Sequence, residues 1–345
     1  MNIGIRFATW WLVALMAANE VIAARPIVIA HRGASAYLPE HTLLAVTAAH
    51  TLRADYIEQD VVLTRDGVPI VLHDIHLQTT TDVATRFPDR ARADGHWYAI
   101  DFDLEEIRQL SVTERRNDAG TPVFSARFPQ ANLGLRVPTL AEEIELIQGL
   151  NQTREHSAGL YIEFKAPQFH AAAGFDIAKS VLAVLDRYGL NTPESPVFLQ
   201  CFDPDTLKRL SAERATPLPL IQLIGEASWD PEDSTDYEWM LTPEGLAKIA
   251  DYAEGIGPWI PQLFNKDLTP NHVAATAHEL GMLVHPYTLR QDALALPVAD
   301  FNALQSLLFD EAKVDGAFSD FPDLTRDFID QHLATTHAES EEPSP

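Results

Sequence analysis

Short apolar runs rich in β-branched residues alternate with longer segments of helical periodicity along most of the chain. Runs of the first kind occupy residues 27–30, 56–64, 160–165, 197–201, 218–224, 255–260, 282–288 and 315–320. Helical patterns fall at 39–50, 139–149, 173–187, 205–213, 243–254, 270–280 and 301–313. Strands that alternate with helices in this way indicate βα units and a parallel sheet. Eight such strands predict an α/β protein with the (β/α)8 architecture of a TIM barrel.

A doubly wound open sheet is the alternative fold. That fold carries a glycine-rich dinucleotide-binding turn after its first strand, whereas here the first strand leads into His31-Arg32-Gly33-Ala34-Ser35. In a parallel barrel the functional side chains come from the carboxyl ends of the strands. The sequence therefore places His31 and Arg32 at a candidate site.

A hairpin is predicted in the second strand. Asp66-Gly67 separates the strand-like runs 56–64 and 68–74, and Asp-Gly between such runs is a strong hairpin signal. A turn this short cannot join parallel strands, which need a dozen or more residues. The second strand is therefore expected to pass the barrel rim, turn and come back, with His73 roughly opposite Asp60.

The domain organisation follows from where this periodicity stops. Residues 75–138 are irregular apart from a helical pattern at 104–110, and connections of that length are rarely without structure. We therefore predict a folded insertion after the second strand, within a barrel that covers residues 24–334. The acidic, proline-containing residues 335–345 are predicted to be disordered.

The first 23 residues have the pattern of a secretory signal peptide. Arg6 precedes an apolar run at 7–17, and Val21-Ile22-Ala23 matches a small-x-small cleavage site. The apolar run is shorter than the ~20 residues that span a bilayer. A mature chain that starts near Ala24 in the periplasm or the medium is expected, with a buried N-terminal helix as the alternative.

Composition and charge exclude some classes of partner. Hydrophobic residues make up 46% and charged residues 22% of the chain, as in globular proteins, but the net charge is −25. Such a surface repels nucleic-acid phosphates and anionic lipids, so neither nucleic-acid binding nor stable membrane association is expected. An anionic substrate would need local cations or a metal ion. Cys201 is the only cysteine and ends a strand-like run, so a buried thiol is favoured over a nucleophile.

Three carboxylates on two predicted strands form a candidate metal site. Glu58 and Asp60 are two residues apart and therefore face the same side of their strand. With Glu163 they would bury like charges together, which is costly without a cation. Oxygen ligands suit Ca²⁺ or Mg²⁺ better than zinc. The alternative is a salt-bridge cluster with Arg32 and Lys165.

Two histidines flank this acidic group. His31 and His73 come from different strands at the same rim, and the unperturbed pKa of histidine suits a general acid or base near neutral pH. Arg32 and Lys165 lie at strand ends beside the carboxylates, where they could neutralise phosphate oxygens. A hydrogen-bonded structural role is the alternative for either histidine alone.

Several motifs together resemble the glycerophosphodiester phosphodiesterase family. They are His31-Arg32-Gly33-Ala34, Pro39-Glu40-His41-Thr42, Glu58-Gln59-Asp60, Leu72-His73-Asp74, Glu163-Phe164-Lys165-Ala166-Pro167, Leu199-Gln200-Cys201-Phe202-Asp203, Gly255-Ile256-Gly257-Pro258, Val284-His285-Pro286-Tyr287-Thr288 and Phe318-Ser319-Asp320-Phe321-Pro322. The resemblance runs from about residue 26 to residue 330 and is greatest to the periplasmic or secreted branch with the long insertion. Phe164 and Trp259 depart from the usual pattern, and Trp259 could alter the glycerol or alcohol pocket.

The resemblance implies a (β/α)8 barrel that hydrolyses deacylated phospholipids to sn-glycerol 3-phosphate and a free alcohol. Matched position by position, Glu58, Asp60 and Glu163 are implied metal ligands, usually for Ca²⁺ and in some relatives for Mg²⁺. His31 and His73 are implied as the acid–base pair. Arg32 and Lys165 are implied near the phosphate, and Gln200 as a substrate contact. The family further implies attack by the glycerol 2-hydroxyl and a cyclic phosphate.

Two other functions fit parts of the same sequence. One is a barrel phospholipase that acts on intact lipid, although the net charge disfavours a membrane-facing rim. The other is a surface binding protein that keeps the barrel but not catalysis. The sequence leaves open the head group, the choice between Ca²⁺ and Mg²⁺, the histidine that starts as base, and the oligomeric state, for which a homodimer is one option.

Overall fold

The computed structural model describes residues 25–117, 119–128, 133–229 and 234–340, with side chains as far as residue 332. The signal peptide predicted at 1–23 lies outside these residues. The strands are β1 (Ile27–Ala30), β2 (Tyr56–Leu63), β3 (Pro69–Val71), β4 (Gly159–Phe164), β5 (Val197–Cys201), β6 (Leu220–Ile224), β7 (Gly255–Pro258), β8 (Leu283–Val284) and β9 (Gly316–Ser319).

The α-helices follow most strands and surround the sheet. They are α1 (Leu43–Thr51), α2 (Val83–Arg86), α3 (Leu104–Ile107), α4 (Leu140–Thr153), α5 (Pro167–Ala172), α6 (Ile177–Arg187), α7 (Pro204–Glu213), α8 (Tyr237–Met240), α9 (Pro243–Ile249), α10 (His272–Glu279), α11 (Phe301–Ser306) and α12 (Pro322–Ser340). Short 3₁₀ turns occupy Pro88–Arg90, Ala99–Asp101 and Ile260–Leu263, and a π turn occupies Leu307–Glu311. Among the described residues, no helix combines the length and the apolar character that a bilayer-spanning segment requires.

Eight parallel strands form a nearly closed barrel. The ladder runs β8-β7-β6-β5-β4-β2-β1-β9. Between its two ends, Phe318 N–H donates to Pro286 O at 3.0 Å and Leu289 N–H donates to Phe318 O at 2.8 Å. The predicted (β/α)8 fold is therefore confirmed, and the open sheet is excluded.

The apolar side chains divide into an outer layer and a barrel interior. Val28 and Ala30 pack in the large cluster between strands and helices, while Ile29, between them, packs inside with Tyr161, Ile221 and Phe318. This is the alternation that a strand imposes on its side chains. The inner cluster lies beneath the carboxyl ends of the strands and forms an apolar floor for whatever binds there.

The predicted hairpin is present, with a register shifted by one residue. β3 pairs antiparallel with β2, Val71 against Val61. Leu72 N–H donates to Asp60 O at 2.8 Å. Leu72, rather than His73, therefore lies across from Asp60. The reason is that the turn between the two strands is one residue shorter than the predicted register requires.

Residues 75–138 carry a hydrophobic cluster of their own. Leu77, Val83, Phe102, Ile107 and Leu110 are buried there against Val62 and Ile70 of the hairpin. The predicted helix at 104–110 is shorter, and α3 ends at Ile107. The segment is thus folded and attached to the barrel through the hairpin.

Several helix boundaries differ from those predicted from the sequence periodicity. The helix predicted at 173–187 begins only at Ile177, because Gly174 adopts φ +89° after α5 and Asp176 then caps α6 by accepting from Lys179 N at 3.1 Å. The helix predicted at 243–254 is shorter, since α9 ends at Ile249. Helix α12 reaches Ser340 and so includes the start of the tail predicted to be disordered. Residues 341–345 lie outside the described part.

Candidate active site

The carboxyl ends of the strands surround a cavity of about 780 Å³, which we call the main cavity. All eight residues singled out in the sequence line it, namely His31, Arg32, Glu58, Asp60, His73, Glu163, Lys165 and Gln200. The barrel brings them together because parallel strands all end at one rim. A site at this end of the barrel is therefore formed by residues that are far apart in the chain.

The three carboxylates converge at the bottom of the main cavity. Asp60 and Glu163 are register partners on β2 and β4, and Glu58 precedes Asp60 on the same face. One oxygen from each of the three lies within 4.8 Å of the others. Burial, reinforced by Asp60 and Glu163, raises the pKa of Glu58 well above its usual value. A bound cation would remove the free-energy cost of holding these three carboxylates close together.

Neighbouring donors hold the carboxylates in place without satisfying all of them. Glu58 accepts from Arg32 N–H at 2.9 Å and from Gln200 Nε2 at 3.0 Å. Lys165 Nζ lies 2.7 Å from Glu163 Oε1. The salt-bridge alternative thus accounts for Glu163, and Arg32 Nε lies 3.6 Å from Asp60 Oδ2. Asp60 Oδ1, however, is buried with no hydrogen-bond partner in the described part of the chain. An oxygen-only set with such an unsatisfied acceptor fits a hard divalent cation.

His41 fixes the orientation of Asp60 and was not predicted as a site residue. His41 Nε2 lies 2.7 Å from Asp60 Oδ2. Although burial opposes it, Lys165 and His41 hold the pKa of Asp60 well below its usual value. Asp60 is therefore ionised and presents its other oxygen to the cavity.

His31 is oriented by a carboxylate from the neighbouring last strand. Its Nδ1 lies 2.5 Å from Asp320 Oδ1, and Arg127 and Arg290 both donate to Asp320 Oδ2, at 2.6 and 2.8 Å. Burial, with Arg32 nearby, lowers the pKa of His31 to about 4. A neutral ring that donates from Nδ1 leaves Nε2 as a proton acceptor.

His73 is held in the same way by the next residue. Its Nδ1 lies 2.5 Å from Asp74 Oδ1. Asp74 Oδ2 accepts from Thr79 Oγ1 and from Arg115 Nη1, both at 2.7 Å. Burial, followed by Arg32, lowers the pKa of His73 to about 3. The two histidines therefore share one design, a carboxylate at Nδ1 that is itself held by arginine.

Arg32 reaches the cavity because its backbone turns at the strand end. Arg32 and Gly33 both have positive φ, +58° and +84°, and a Cβ on Gly33 would lie 2.9 Å from the Ala45 carbonyl carbon. Arg32 Nη1 donates to Glu40 at 3.1 Å. Its buried Nε lies 3.6 Å from Asp60 Oδ2 and makes no hydrogen bond with the residues that the structure describes. That N–H is placed to bind a phosphate oxygen.

Part of the remaining wall of the main cavity is aromatic. Phe202, Trp229, Trp259 and Tyr287 line it, and the Trp229 and Trp259 ring centres are 5.5 Å apart. Cys201 beside this wall is fully buried, and burial raises the pKa of its thiol well above the usual value. The prediction of a buried structural thiol is confirmed.

Sequence reasoning missed the residues that support the histidines. Asp320 could have been found, because it ends the last strand, and in a closed barrel that strand neighbours the first. Asp74 follows His73 directly and could also have been identified from the sequence. Arg115 and Arg127 come from the irregular segment 75–138, where no periodicity indicates which side chains face the barrel.

Comparisons with known proteins agree with this geometry. Residues 31–324 match the model of the glycerophosphoryl diester phosphodiesterase family. A glycerophosphodiester phosphodiesterase of Haemophilus influenzae is 40% identical over 90% of this chain and 92% of its own length. One from Treponema pallidum is 35% identical over 89% of this chain and 92% of its own.

Solved structures show the same fold. A structure from Silicibacter pomeroyi covers 90% of this chain and 95% of its own, with a TM-score of 0.66 and 26% identity. An Oleispira antarctica phosphodiesterase, determined in complex with the product sn-glycerol-3-phosphate, covers 89% of this chain and 97% of its own, with a TM-score of 0.61 and 21% identity. The family match spans most of the chain and includes every residue of the site, so this protein belongs to the glycerophosphoryl diester phosphodiesterase family of enzymes.

Proposed function

We propose that the enzyme hydrolyses glycerophosphodiesters such as glycerophosphocholine and glycerophosphoethanolamine to sn-glycerol 3-phosphate and an alcohol. The observation that carries this proposal is the pair of carboxylate-held histidines in one cavity with an acidic cluster. His31 and His73 supply two proton-transfer groups, and Glu58, Asp60 and Glu163 supply ligands for a divalent cation. The Haemophilus and Treponema relatives carry the name of this activity.

The histidines exchange protons with the two oxygens that enter and leave phosphorus. Nε2 of one ring, which enters the step neutral, accepts the proton of the attacking hydroxyl. The other ring must enter the step protonated at both nitrogens, a form that its carboxylate at Nδ1 stabilises, and it gives its Nε2 proton to the departing alcohol oxygen. When the glycerol 2-hydroxyl attacks, the product is a cyclic phosphate and the free alcohol. Water then opens the ring as the two histidines exchange roles, which restores both and gives sn-glycerol 3-phosphate.

Fixed cations balance the charge that develops on the phosphate. Arg32 Nε is buried 3.6 Å from Asp60 and, within the described ranges, makes no hydrogen bond, and Lys165 Nζ lies beside Glu163. In a water-poor cavity, donors that are already oriented stabilise the transition state without reorganisation. A divalent cation held by the three carboxylates would orient the substrate and offset negative charge on it. We propose Ca²⁺ for this role, with Mg²⁺ as the alternative.

The release of glycerol 3-phosphate from glycerophosphocholine tests the proposal. We expect release with Ca²⁺, loss of release with EDTA, and recovery when Ca²⁺ or Mg²⁺ is added back, with the more effective ion identifying the metal. A diester that lacks the glycerol 2-hydroxyl should be a poor substrate. Equal turnover of that diester would replace the cyclic route by direct attack of water. Faster hydrolysis of micellar phosphatidylcholine would favour a phospholipase instead.

We further propose that the protein is exported and cleaved after Ala23, as the sequence of residues 1–23 suggests. Expression of the full chain in a Gram-negative host should give a periplasmic product that begins at Ala24. Mass spectrometry of the N-terminal peptide from periplasmic and cytoplasmic fractions measures this. An intact Met1 terminus in a cytoplasmic product would contradict it.

A further inference from the structure

A second cavity adjoins the histidine pair. It has a volume of about 270 Å³, and we call it the side cavity. His31, Arg32, His73 and Arg290 line both the side cavity and the main cavity. The three clustered carboxylates line only the main cavity. The two cavities therefore meet where the proposed chemistry takes place.

This geometry matches the two arms of a phosphodiester. If phosphorus is held at the shared residues, as the proposed function requires, the glycerol arm extends toward the carboxylates in the main cavity. The alcohol arm then extends into the side cavity. Residues from the segment 75–138 close that cavity, among them Glu114, Arg115, Phe124 and Arg127.

The arginines of the side cavity are already neutralised. Arg115 contacts Glu40 and Asp74 at 2.6 and 2.7 Å. Arg127 contacts Asp292 and Asp320 at 2.8 and 2.6 Å. Arg290 Nε also lies 2.8 Å from Asp320. The side cavity is thus not a site for a second anion, because carboxylates bind its cations.

Two buried acceptors of the side cavity are unsatisfied. Glu114 and Ser35 are each only 5% exposed, and both line this cavity. Among the described residues, Glu114 Oε2 and Ser35 Oγ have no hydrogen-bond partner. Burial, reinforced by Glu40, raises the pKa of Glu114 to about 7. An unpartnered buried carboxylate oxygen is costly, so a ligand that donates to it gains a strong hydrogen bond.

We propose that the side cavity binds the alcohol arm of the diester and that Glu114 and Ser35 select an alcohol with a primary ammonium group, as in ethanolamine. Such a group carries the positive charge and the N–H donors that both acceptors lack. A trimethylammonium group has the charge but no N–H and is larger. The cavity exceeds the ~30 Å³ of a water molecule several-fold, which leaves room for a group of a few heavy atoms.

Substrate selectivity tests this inference. We would measure kcat/KM for glycerophosphoethanolamine and glycerophosphocholine with the wild type, Glu114→Gln and Ser35→Ala. Since a hydrogen bond to a charged group typically contributes about 10-fold or more in affinity, the wild type should prefer the ethanolamine diester. In Glu114→Gln the loss on the ethanolamine diester should exceed the loss on the choline diester about 10-fold. Ser35→Ala should act in the same direction but more weakly.

Controls separate selectivity from folding and from the proposed function. Glu105→Gln changes an exposed carboxylate in the same segment and should leave both substrates unaffected. Calorimetric binding of free ethanolamine to the wild type, weakened in Glu114→Gln, would support the inference independently. Equal losses on both diesters, or an unchanged ratio, would overturn it while the proposed function stands. Hydrolysis of neither diester by the wild type with Ca²⁺ or Mg²⁺ would overturn both.

Discussion

Asp320 Oδ1 lies 2.5 Å from Nδ1 of His31, although 289 positions separate the two residues in the chain. The contact exists because β9 pairs with β1 in the barrel, Ser319 beside Ala30. A carboxylate at Nδ1 selects the tautomer whose Nε2 accepts a proton, and it stabilises the ring once protonated. We therefore expect Asp320→Asn to lower kcat by about 10²-fold or more with a much smaller change in KM.

Asp292→Asn is the matched control for that variant. Asp292 also binds Arg127, at 2.8 Å, but its carboxylate, unlike that of Asp320, does not contact His31. Its replacement should therefore leave kcat within a few-fold of the wild type. A similar loss in both variants would show that Asp320 acts through Arg127 rather than through His31.

Removal of either histidine should reduce turnover strongly. His31→Ala and His73→Ala are each expected to lower kcat by roughly 10²–10⁴-fold, the usual contribution of a general acid or base. A glycerophosphodiester with a p-nitrophenol leaving group needs no protonation to depart. The variant that lacks the acid should recover on this substrate, and the variant that lacks the base should not. Near-full activity of both variants on glycerophosphocholine, with His272→Ala as control, would refute the assignment.

Loss of one carboxylate should weaken the cation site. Glu58→Ala removes a carboxylate of the acidic cluster whose two oxygens accept separately, Oε2 from the Arg32 backbone N–H and Oε1 from Gln200 Nε2. We expect a higher Ca²⁺ concentration for half-maximal activity, with partial rescue at excess Ca²⁺, measured by titration after EDTA treatment. Glu194→Gln, at an exposed position, should titrate as the wild type does. An unchanged Ca²⁺ midpoint with lower kcat would argue against a ligand role.

Glu143 should make the protein less stable at high pH. Its side chain on α4 is fully buried, with the amide of Gln59 as its polar neighbour. Burial raises its pKa well above the usual value, so the unfolded chain loses this proton at a lower pH than the folded protein does. The free energy of unfolding should therefore fall, through this group, as the pH rises above about 4.5.

Glu143→Gln removes that titration. Urea unfolding of the variant and the wild type between pH 4 and pH 8 should show the variant gaining relative stability as the pH rises. The difference between the two proteins isolates this residue from the other acidic groups of the chain. A difference that stays constant with pH would show that Glu143 is ionised in the folded protein.

The barrel and the central site were predictable because they depend on regular rules. The two-residue spacing of Glu58 and Asp60 places both on one strand face, and parallel strands bring Glu163 and His31 to the same rim. The exact register of the hairpin was not predictable, since a shift of one residue in the turn moves His73 relative to Asp60.

The outer part of the site follows no such rule. Glu114, Arg115 and Arg127 belong to a segment whose conformation depends on its own small cluster and on its contacts with the hairpin. Their partners, among them Glu40 and Asp320, lie in other parts of the chain. Long-range ion pairs of this kind leave no periodic signal in the sequence, so only the folded structure reveals them.

The two histidines are each connected through a carboxylate to an arginine of the segment 75–138, His31 through Asp320 to Arg127 and His73 through Asp74 to Arg115. Under the proposed mechanism, catalysis therefore depends on the docking of a segment that packs largely around its own apolar cluster. Local opening of that segment would disconnect both proton-transfer groups at once while the barrel remained folded. The enzyme should consequently lose activity on heating before its strands melt, with the segment serving as its thermal weak point.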